Sequence, residues 1–199
     1  GFEIKVIPVL DNGTLDVDSL DNLLGPKTKF CGVVHISNAL GVINPVSEII
    51  SKVKEYNSEI TVLVDGSQSV VHMPVDVIDM GCDFFAFTGH KLYGPTGVGV
   101  LYGRSEILVG MPPFLGGGDM IESVSFEKTT FKEPPYRFEA GTPAIVQVIG
   151  FGAAIDYLCS VDHTALHLHE QEMLRLLNMG LKEIGDITIY GDVPDKAGI

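Results

Sequence analysis

Basic residues are scarce in this sequence. Across 199 residues, Lys and Arg together number 13 while Asp and Glu number 26, which gives a formal net charge of −13 at pH 7. A negative field of this size repels phosphodiester backbones and anionic lipid headgroups. The composition therefore argues against nucleic-acid partners and against binding to a membrane surface.

Long apolar runs and paired cysteines are also missing. The most apolar stretches, such as residues 60–64, have the length of a strand and fall well short of the roughly 20 residues that span a bilayer. The three cysteines, Cys31, Cys82 and Cys159, are odd in number and contain no CxxC pair. Disulfide frameworks and zinc sites need such pairs, so the sequence favours a reducing compartment, the cytoplasm, with three buried and unreactive thiols.

Two further classes of site lack part of their pattern. The glycine run at residues 116–118 is followed by no Gly-Lys-Ser/Thr and no GxGxxG opens a helix, so we interpret it as a flexible loop. His163 and His167 are spaced four apart and His169 follows, but no carboxylate or cysteine completes a ligand set at suitable spacing. The sequence therefore predicts an exposed helical face here, and no metal site.

Short apolar runs alternate with amphipathic segments through the first half of the chain. Runs at residues 31–36, 60–64 and 84–87 are separated by helical patterns at residues 45–56 and 75–80. Continuous apolar strands joined by helices predict an α/β fold with a mostly parallel sheet and helices on both faces. Asn44 is predicted to cap the helix at 45–56. The remaining pattern predicts strands at 2–9 and 97–102 and a strand beginning at 187–190, helices at 15–24, 143–158 and 162–184, and a loop with a hairpin at 111–136.

Polar residues follow each of the three apolar runs. Ligands of parallel α/β sheets bind beyond the carboxyl ends of the strands, where these residues would converge. Enzymes that use pyridoxal phosphate require two such groups. One is a lysine near an apolar pocket, which condenses with the aldehyde, and the other is a carboxylate that keeps the pyridine nitrogen protonated. The residues in question are Asn38, Asp65, Gln68, Thr88, His90 and Lys91. Taken singly, Asn38, Gln68 and His90 could equally be turn-forming residues.

Five ordered segments carry a family resemblance. They are HISNALG at 35–41, VDGSQ at 64–68, TGHKLYGPTG at 88–97, MPPFLGGGDMI at 111–121 and RFEAGTP at 137–143. Together they resemble the class V aminotransferase-fold enzymes, and more narrowly the SUF-type branch of cysteine desulfurases and selenocysteine lyases. The resemblance implies the large domain of a fold-type-I pyridoxal-phosphate transferase, with a partial cofactor domain at 1–160 and a connecting helix and the start of a small domain at 161–199.

The resemblance implies a role for each residue around the cofactor ring. Lys91 would form the Schiff base and later move the α-proton of the substrate. Asp65 would pair with the pyridinium nitrogen, and Gln68 would contact the phenolate oxygen. Asn38 would lie beside the ring and the carboxylate of the substrate.

The resemblance also implies how the phosphate is held. Thr88 and His90 would bind it within one subunit. Gly141 and Thr142 would reach the phosphate of the neighbouring subunit, which implies a homodimer with two shared sites.

The implied activity is conversion of L-cysteine to L-alanine, with sulfur passing to an enzyme cysteine and then to an acceptor protein of iron–sulfur cluster assembly. None of the three cysteines matches the position of the family's nucleophile. The ring-stacking histidine and an early phosphate-binding threonine would precede this chain, and the nucleophile and a carboxylate-binding arginine would follow it. We therefore expect a truncated central segment that is inactive alone. Selenocysteine lyase, aminotransferase and kynureninase-like activities, and a cofactor-free scaffold, remain alternatives.

Overall fold

The apolar runs form a single four-stranded sheet in the computed structural model, which describes residues 1–194 and 196–199. Its strands lie in chain order, the first three parallel and the fourth antiparallel to its neighbour. They are β1 (Phe30–Val34), β2 (Thr61–Asp65), β3 (Phe84–Thr88) and β4 (Gly99–Gly103). The predicted mostly parallel α/β sheet is confirmed.

Seven α-helices accompany the sheet among the described residues. They are α1 (Leu20–Leu23), α2 (Val46–Tyr56), α3 (Ser69–His72), α4 (Val77–Met80), α5 (Ser105–Gly110), α6 (Ile145–Cys159) and α7 (His163–Ile184). Helix α2 places an apolar face, including Ile49 and Val53, against Val33, Val62 and Val64 of the sheet, and this forms the main core. Helix α6 contributes to a second cluster of buried residues, made of Val71, Leu92, Phe151, Ala154 and Leu158.

A buried carboxylate joins the elements at the amino ends of β2 and β3. Asp83, whose side chain is 3% exposed, accepts hydrogen bonds from the Lys54 ammonium at 2.6 Å and from the Val62 N–H at 2.7 Å. Its carbonyl accepts the N–H of Arg104, which follows β4. One residue thus connects α2 with three strands and fixes their alignment.

The second half of the chain matches its sequence pattern in outline. The predicted hairpin consists of β5 (Ile121–Val124) and β6 (Thr129–Phe131), and α6 and α7 lie within a residue or two of their predicted bounds. The pattern of α7 places Leu166, Met173, Leu177 and Leu181 on or near one face, which predicts core or dimer packing. This stripe is not part of the core, since no residue of the helix is buried. The predicted boundary at residue 160 falls between α6 and α7 and stays a prediction.

No single described helix is long and apolar enough to cross a bilayer. Helices α6 and α7 satisfy the length and composition criterion only when taken together, and they are bent by 84° at the break between them.

Two predicted strands are wrong. Residues 2–9 are largely exposed, and their only β pairing is an isolated bridge between Val9 and Leu15. Residues 187–190 form no strand, and the bridge nearest to them joins Lys196 to Val42. An alternating pattern specifies an apolar face, but a strand also needs a neighbouring backbone, and the described residues offer none at either place.

Two local predictions also differ from the structure. Asn44 does not cap α2, because its side-chain amide donates to the Val34 carbonyl at 2.9 Å and Pro45 takes the capping position. Cys159 is exposed at the end of α6, whereas Cys82 is buried and Cys31 is half-buried. An apolar helix buries only the face that meets a neighbour, and Cys159 lies off that face.

Candidate active site

The carboxyl ends of β2 and β3 lie side by side and carry two of the predicted residues. Asp65 ends β2 and stands opposite Ala86 of β3, while Thr88 ends β3. Because side chains alternate along a strand, Ala86 and Thr88 project from the same face, and paired Asp65 projects with them. The small Ala86 side chain leaves this face open between the carboxylate and the hydroxyl, which suits a flat ligand.

A tight turn at Gly66 places Asp65 and Gln68 at the same edge. The N–H of Gly66 donates to the Ala86 carbonyl at 2.8 Å, and its own carbonyl accepts the Val70 N–H that begins α3. Asp65 Oδ1 accepts the Ser67 N–H at 2.9 Å, which orients the carboxylate. Gln68 stands at the start of α3 and makes no capping bond with its side chain, so its amide stays available to a ligand.

The segment after β3 coils into a single 3-10 turn, Gly89–Lys91. Thr88 Oγ1 and His90 Nδ1 lie 2.7 Å apart in a hydrogen bond that holds the two polar groups together. Gly89 is buried, and a Cβ there would approach Val98 Cγ1 to 2.7 Å, so the close coil requires glycine. Lys91 is half-buried directly before Leu92, which is 6% exposed and anchors the turn.

Asn38 lies in the loop that leaves β1 at the same edge of the sheet. The loop is braced by Ser37, whose carbonyl accepts the Gly41 N–H and whose hydroxyl accepts the Leu40 N–H. Gly41 has a φ of +72°, and a Cβ there would lie 2.6 Å from the Ala197 carbonyl, so only glycine fits. Asn38 is exposed and faces solvent.

Gly141 and Thr142 belong to a separate segment of the chain. Gly141 has a φ of +83° and donates its N–H to the Gly118 carbonyl at 2.9 Å, and Thr142 is exposed before α6. Across residues 1–194 and 196–199, no hydrogen bond joins this pair to Thr88, His90 or Lys91. The structure of one chain thus brings the strand-end residues together, and no hydrogen bond among the described residues ties Gly141 or Thr142 to the phosphate-binding candidates.

One buried residue beside the site received no role from the sequence. His35 directly follows β1, is 6% exposed, and donates its N–H to the Asp65 carbonyl at 2.9 Å. Its Nδ1 is buried without a hydrogen-bond partner in the described structure, and burial lowers the pKa of the ring. A histidine within an apolar run is the sequence signal here, and it does not distinguish a buried ring from an exposed one.

The cysteines differ in their environment. Burial raises the pKa of the Cys31 and Cys82 thiols, which keeps both protonated and weakly nucleophilic at neutral pH. Neither lies at the carboxyl edge, since Cys31 is the second residue of β1 and Cys82 precedes β3. Neither thiol therefore lies with the lysine, carboxylate and imidazole that follow the strand ends.

Comparisons with known proteins agree on one family. The aminotransferase class-V model matches residues 1–198. A probable cysteine desulfurase of Xylella fastidiosa is 46% identical over 199 residues, which cover 100% of this chain and 47% of the relative.

Solved structures give the same picture. The apo structure of the cysteine desulfurase from Thermococcus onnurineus NA1 matches with a TM-score of 0.89 at 38% identity, covering 98% of this chain and 48% of that one. A cysteine desulfurase from Escherichia coli matches with a TM-score of 0.82 at 38% identity, covering 91% and 44%. The chain thus spans about half the length of the curated relatives and solved chains it matches.

Proposed function

The chain belongs to the aminotransferase class-V family, and from that premise we propose that it forms the cofactor-binding part of a pyridoxal-phosphate-dependent cysteine desulfurase. The observation that carries the proposal is the set of polar side chains at one edge of the parallel sheet. A carboxylate, a hydroxyl, an imidazole and an amine follow two adjacent strands there, namely Asp65, Thr88, His90 and Lys91.

This donor set fits pyridoxal phosphate. The ring of the cofactor needs a flat opening next to a carboxylate, and the small Ala86 beside Asp65 provides one. Its phosphate needs short donors near the lysine, and the paired Thr88 and His90 side chains lie within three residues of Lys91. The coil that groups them exists because Gly89 carries no side chain.

Each residue of the set has a defined task in this proposal. When bound, pyridoxal phosphate supplies an electron sink that stabilises negative charge at the α-carbon of an amino-acid substrate. Lys91 would hold the aldehyde carbon through Nζ with loss of water. Once the substrate amine has taken its place at that carbon, the freed Lys91 amine would take the α-proton and return it to another atom of the substrate. Asp65 holds the proton on the pyridine nitrogen, and Gln68 donates its amide to the phenolate oxygen.

The remaining residues bind and orient. Thr88 and His90 hold the phosphate, and Asn38 orients the ring and the carboxylate of the substrate. Since burial keeps the Cys31 and Cys82 thiols protonated, we assign the sulfur-accepting step to neither of them.

We further propose a homodimer in which Gly141 and Thr142 complete the phosphate site of the partner. Ile145, Val146 and Ile149 of α6 are each more than half exposed, shortly after Thr142 in the chain. An apolar patch beside this segment supports a partner surface there.

The proposed substrate is L-cysteine, with selenocysteine as its nearest competitor, and the proposed sulfur acceptor is a protein of iron–sulfur cluster assembly. The relative from Xylella fastidiosa is named a probable cysteine desulfurase, which supports the first choice. The three cysteines are free in the structure, which supports the reducing cytoplasm as the proposed location.

The proposal is tested by alanine formation from L-cysteine in the protein that contains this chain. Replacing Lys91 with alanine removes both the covalent anchor and the proton-transfer group, so we expect a loss of at least about 100-fold in rate. Lys27→Ala is the matched control, because Lys27 is exposed in a turn before the amino end of β1, whereas the candidate site lies at the carboxyl ends of the strands. Undiminished turnover in Lys91→Ala would overturn the assignment, and accumulation of pyridoxamine phosphate would identify a transaminase instead.

A further inference from the structure

Arg137 lies at the centre of a hydrogen-bond circuit that ends at the Gly141–Thr142 segment. We propose that Arg137 is a positioning residue that fixes this segment, and through Thr142 sets the strength of phosphate binding. The inference rests on the proposed function, because the phosphate concerned is that of pyridoxal phosphate.

The guanidinium of Arg137 binds main-chain carbonyls from separate parts of the chain. Its Nε donates to Lys132 O at 3.0 Å, and its Nη1 donates to Val109 O at 2.8 Å and to Met111 O at 3.2 Å. Its side chain is only 15% exposed, and Nη2 lies 3.5 Å from a carboxylate oxygen of Glu133. One rigid group thus fastens the end of α5 to the chain that leaves β6.

This geometry requires arginine. A planar guanidinium carries five donors in a fixed arrangement, whereas a lysine ammonium is a single point on a flexible stem. The carbonyl of Val109, in the last turn of α5, has no partner within its helix, and neither has that of Met111 just beyond it. Lysine carries its three donors on one terminal atom and has none at the position of Nε, so the bond to Lys132 O would be lost even where the ammonium reaches the other carbonyls.

A chain of main-chain hydrogen bonds leads from the same anchor to Gly141. The Lys132 N–H donates to Met120 O at 2.9 Å, and the Met120 N–H donates to Gly118 O at 2.8 Å. Gly118 O also accepts the Gly141 N–H at 2.9 Å. Met120 is fully buried, which makes this part of the circuit rigid.

Residues 137–141 are therefore held at both ends by the base of the hairpin. Arg137 binds Lys132, Gly141 binds Gly118, and Met120 connects the two. A Cβ on Gly117 would lie 3.0 Å from Gly141 N, so the loop backbone packs directly on this segment. Loss of the arginine frees one end, and the Gly118 bond to Gly141 is then the remaining tie in this circuit that positions the adjoining Thr142.

The test compares binding of pyridoxal phosphate with binding of pyridoxal, which lacks the phosphate. For Arg137→Lys we expect the Kd for pyridoxal phosphate to rise at least about tenfold, the value of one charge-assisted hydrogen bond. The Kd for pyridoxal should stay unchanged. Arg175→Lys is the control, since the partners of Arg175 in the described part of the chain are Glu172 and Met179 on the surface of α7.

A second variant gives the inference an independent test. Thr142→Val should reproduce the phosphate-selective loss, and adding Arg137→Lys to it should cause no further loss. Equal weakening of both ligands in Arg137→Lys, no weakening of either, or an additive double variant would each overturn the inference. Failure of the unsubstituted chain to bind either ligand would instead refute the proposed function, so the two failures are distinguishable.

Discussion

Replacing Gly66 with alanine tests how the fold holds Asp65 in place. A Cβ on Gly66 would lie 1.8 Å from Cζ of Phe85 and 2.5 Å from both Cε atoms. Neither side can move freely, because Phe85 is 2% exposed within the main core and Gly66 is bonded through both its N–H and its carbonyl. The substitution must therefore displace the ring or the turn.

The cost can be estimated from the size of this overlap. Inserting a methyl group into a packed core usually costs about 1–3 kcal/mol, and a contact this close belongs at the upper end, about 3 kcal/mol of unfolding free energy. Gly110→Ala is the matched control, since a Cβ added to Gly110 of α5 would have no atom within 4 Å. Because Gly110 is the last residue of α5 and a Cβ there meets no atom, the change should alter the free energy of unfolding by less than about 0.5 kcal/mol.

Urea unfolding followed by circular dichroism measures both variants. Titration with pyridoxal phosphate should also show weaker binding in Gly66→Ala, because the displaced turn carries Asp65 and Gln68. Combining Gly66→Ala with Phe85→Leu provides space for the methyl group, so the double variant should lose less stability than the two single losses together. A cost below about 0.5 kcal/mol for Gly66→Ala, or strict additivity, would refute the packing argument.

Two further predictions concern buried ionisable groups. Asp83→Asn leaves the Lys54 ammonium without its carboxylate and should lower the free energy of unfolding by about 1–3 kcal/mol, whereas Asp18→Asn, at a 98% exposed carboxylate, should cost about 0–1 kcal/mol. Equal losses in urea unfolding would contradict this difference. Burial lowers the pKa of His35 in the folded chain. Below its usual value of 6.5 the ring therefore binds more protons in the unfolded chain, and the free energy of unfolding decreases as the pH is lowered. His35→Gln should therefore lose less stability than the unsubstituted chain between pH 7 and pH 5, by at most about 1.4 kcal/mol per pH unit, and parallel curves would refute it.

Local sequence patterns predicted the parts of the fold that depend on local information. The apolar runs that became β1 to β3 carry their own signal, because a short continuous apolar run bounded by turn residues is typical of a strand in a parallel sheet. The strand predicted at 2–9 failed since its pattern says nothing about a pairing partner. Asn44 failed for a related reason, because its amide found the Val34 carbonyl ten residues away instead of the adjacent helix.

The candidate site likewise contains residues that local sequence patterns predict and residues whose role depends on distant contacts. The residues that follow strand ends could be found because parallel topology brings those ends to one edge. Arg137 lies within one of the five family segments, but its sequence context indicates no role because its partners are main-chain carbonyls up to 28 residues away. The need for glycine at position 66 is equally hidden in the sequence, because the ring that fills the space beside it belongs to Phe85 of another strand.

The central claim is that Lys91 is the residue that binds the cofactor, and borohydride trapping tests it most directly. The chain is mixed with pyridoxal phosphate, reduced, digested and mapped by mass spectrometry. We predict that the stable adduct lies on Lys91, persists in Lys27→Ala and disappears in Lys91→Ala. An adduct spread over the exposed lysines, and unchanged in Lys91→Ala, would contradict the account.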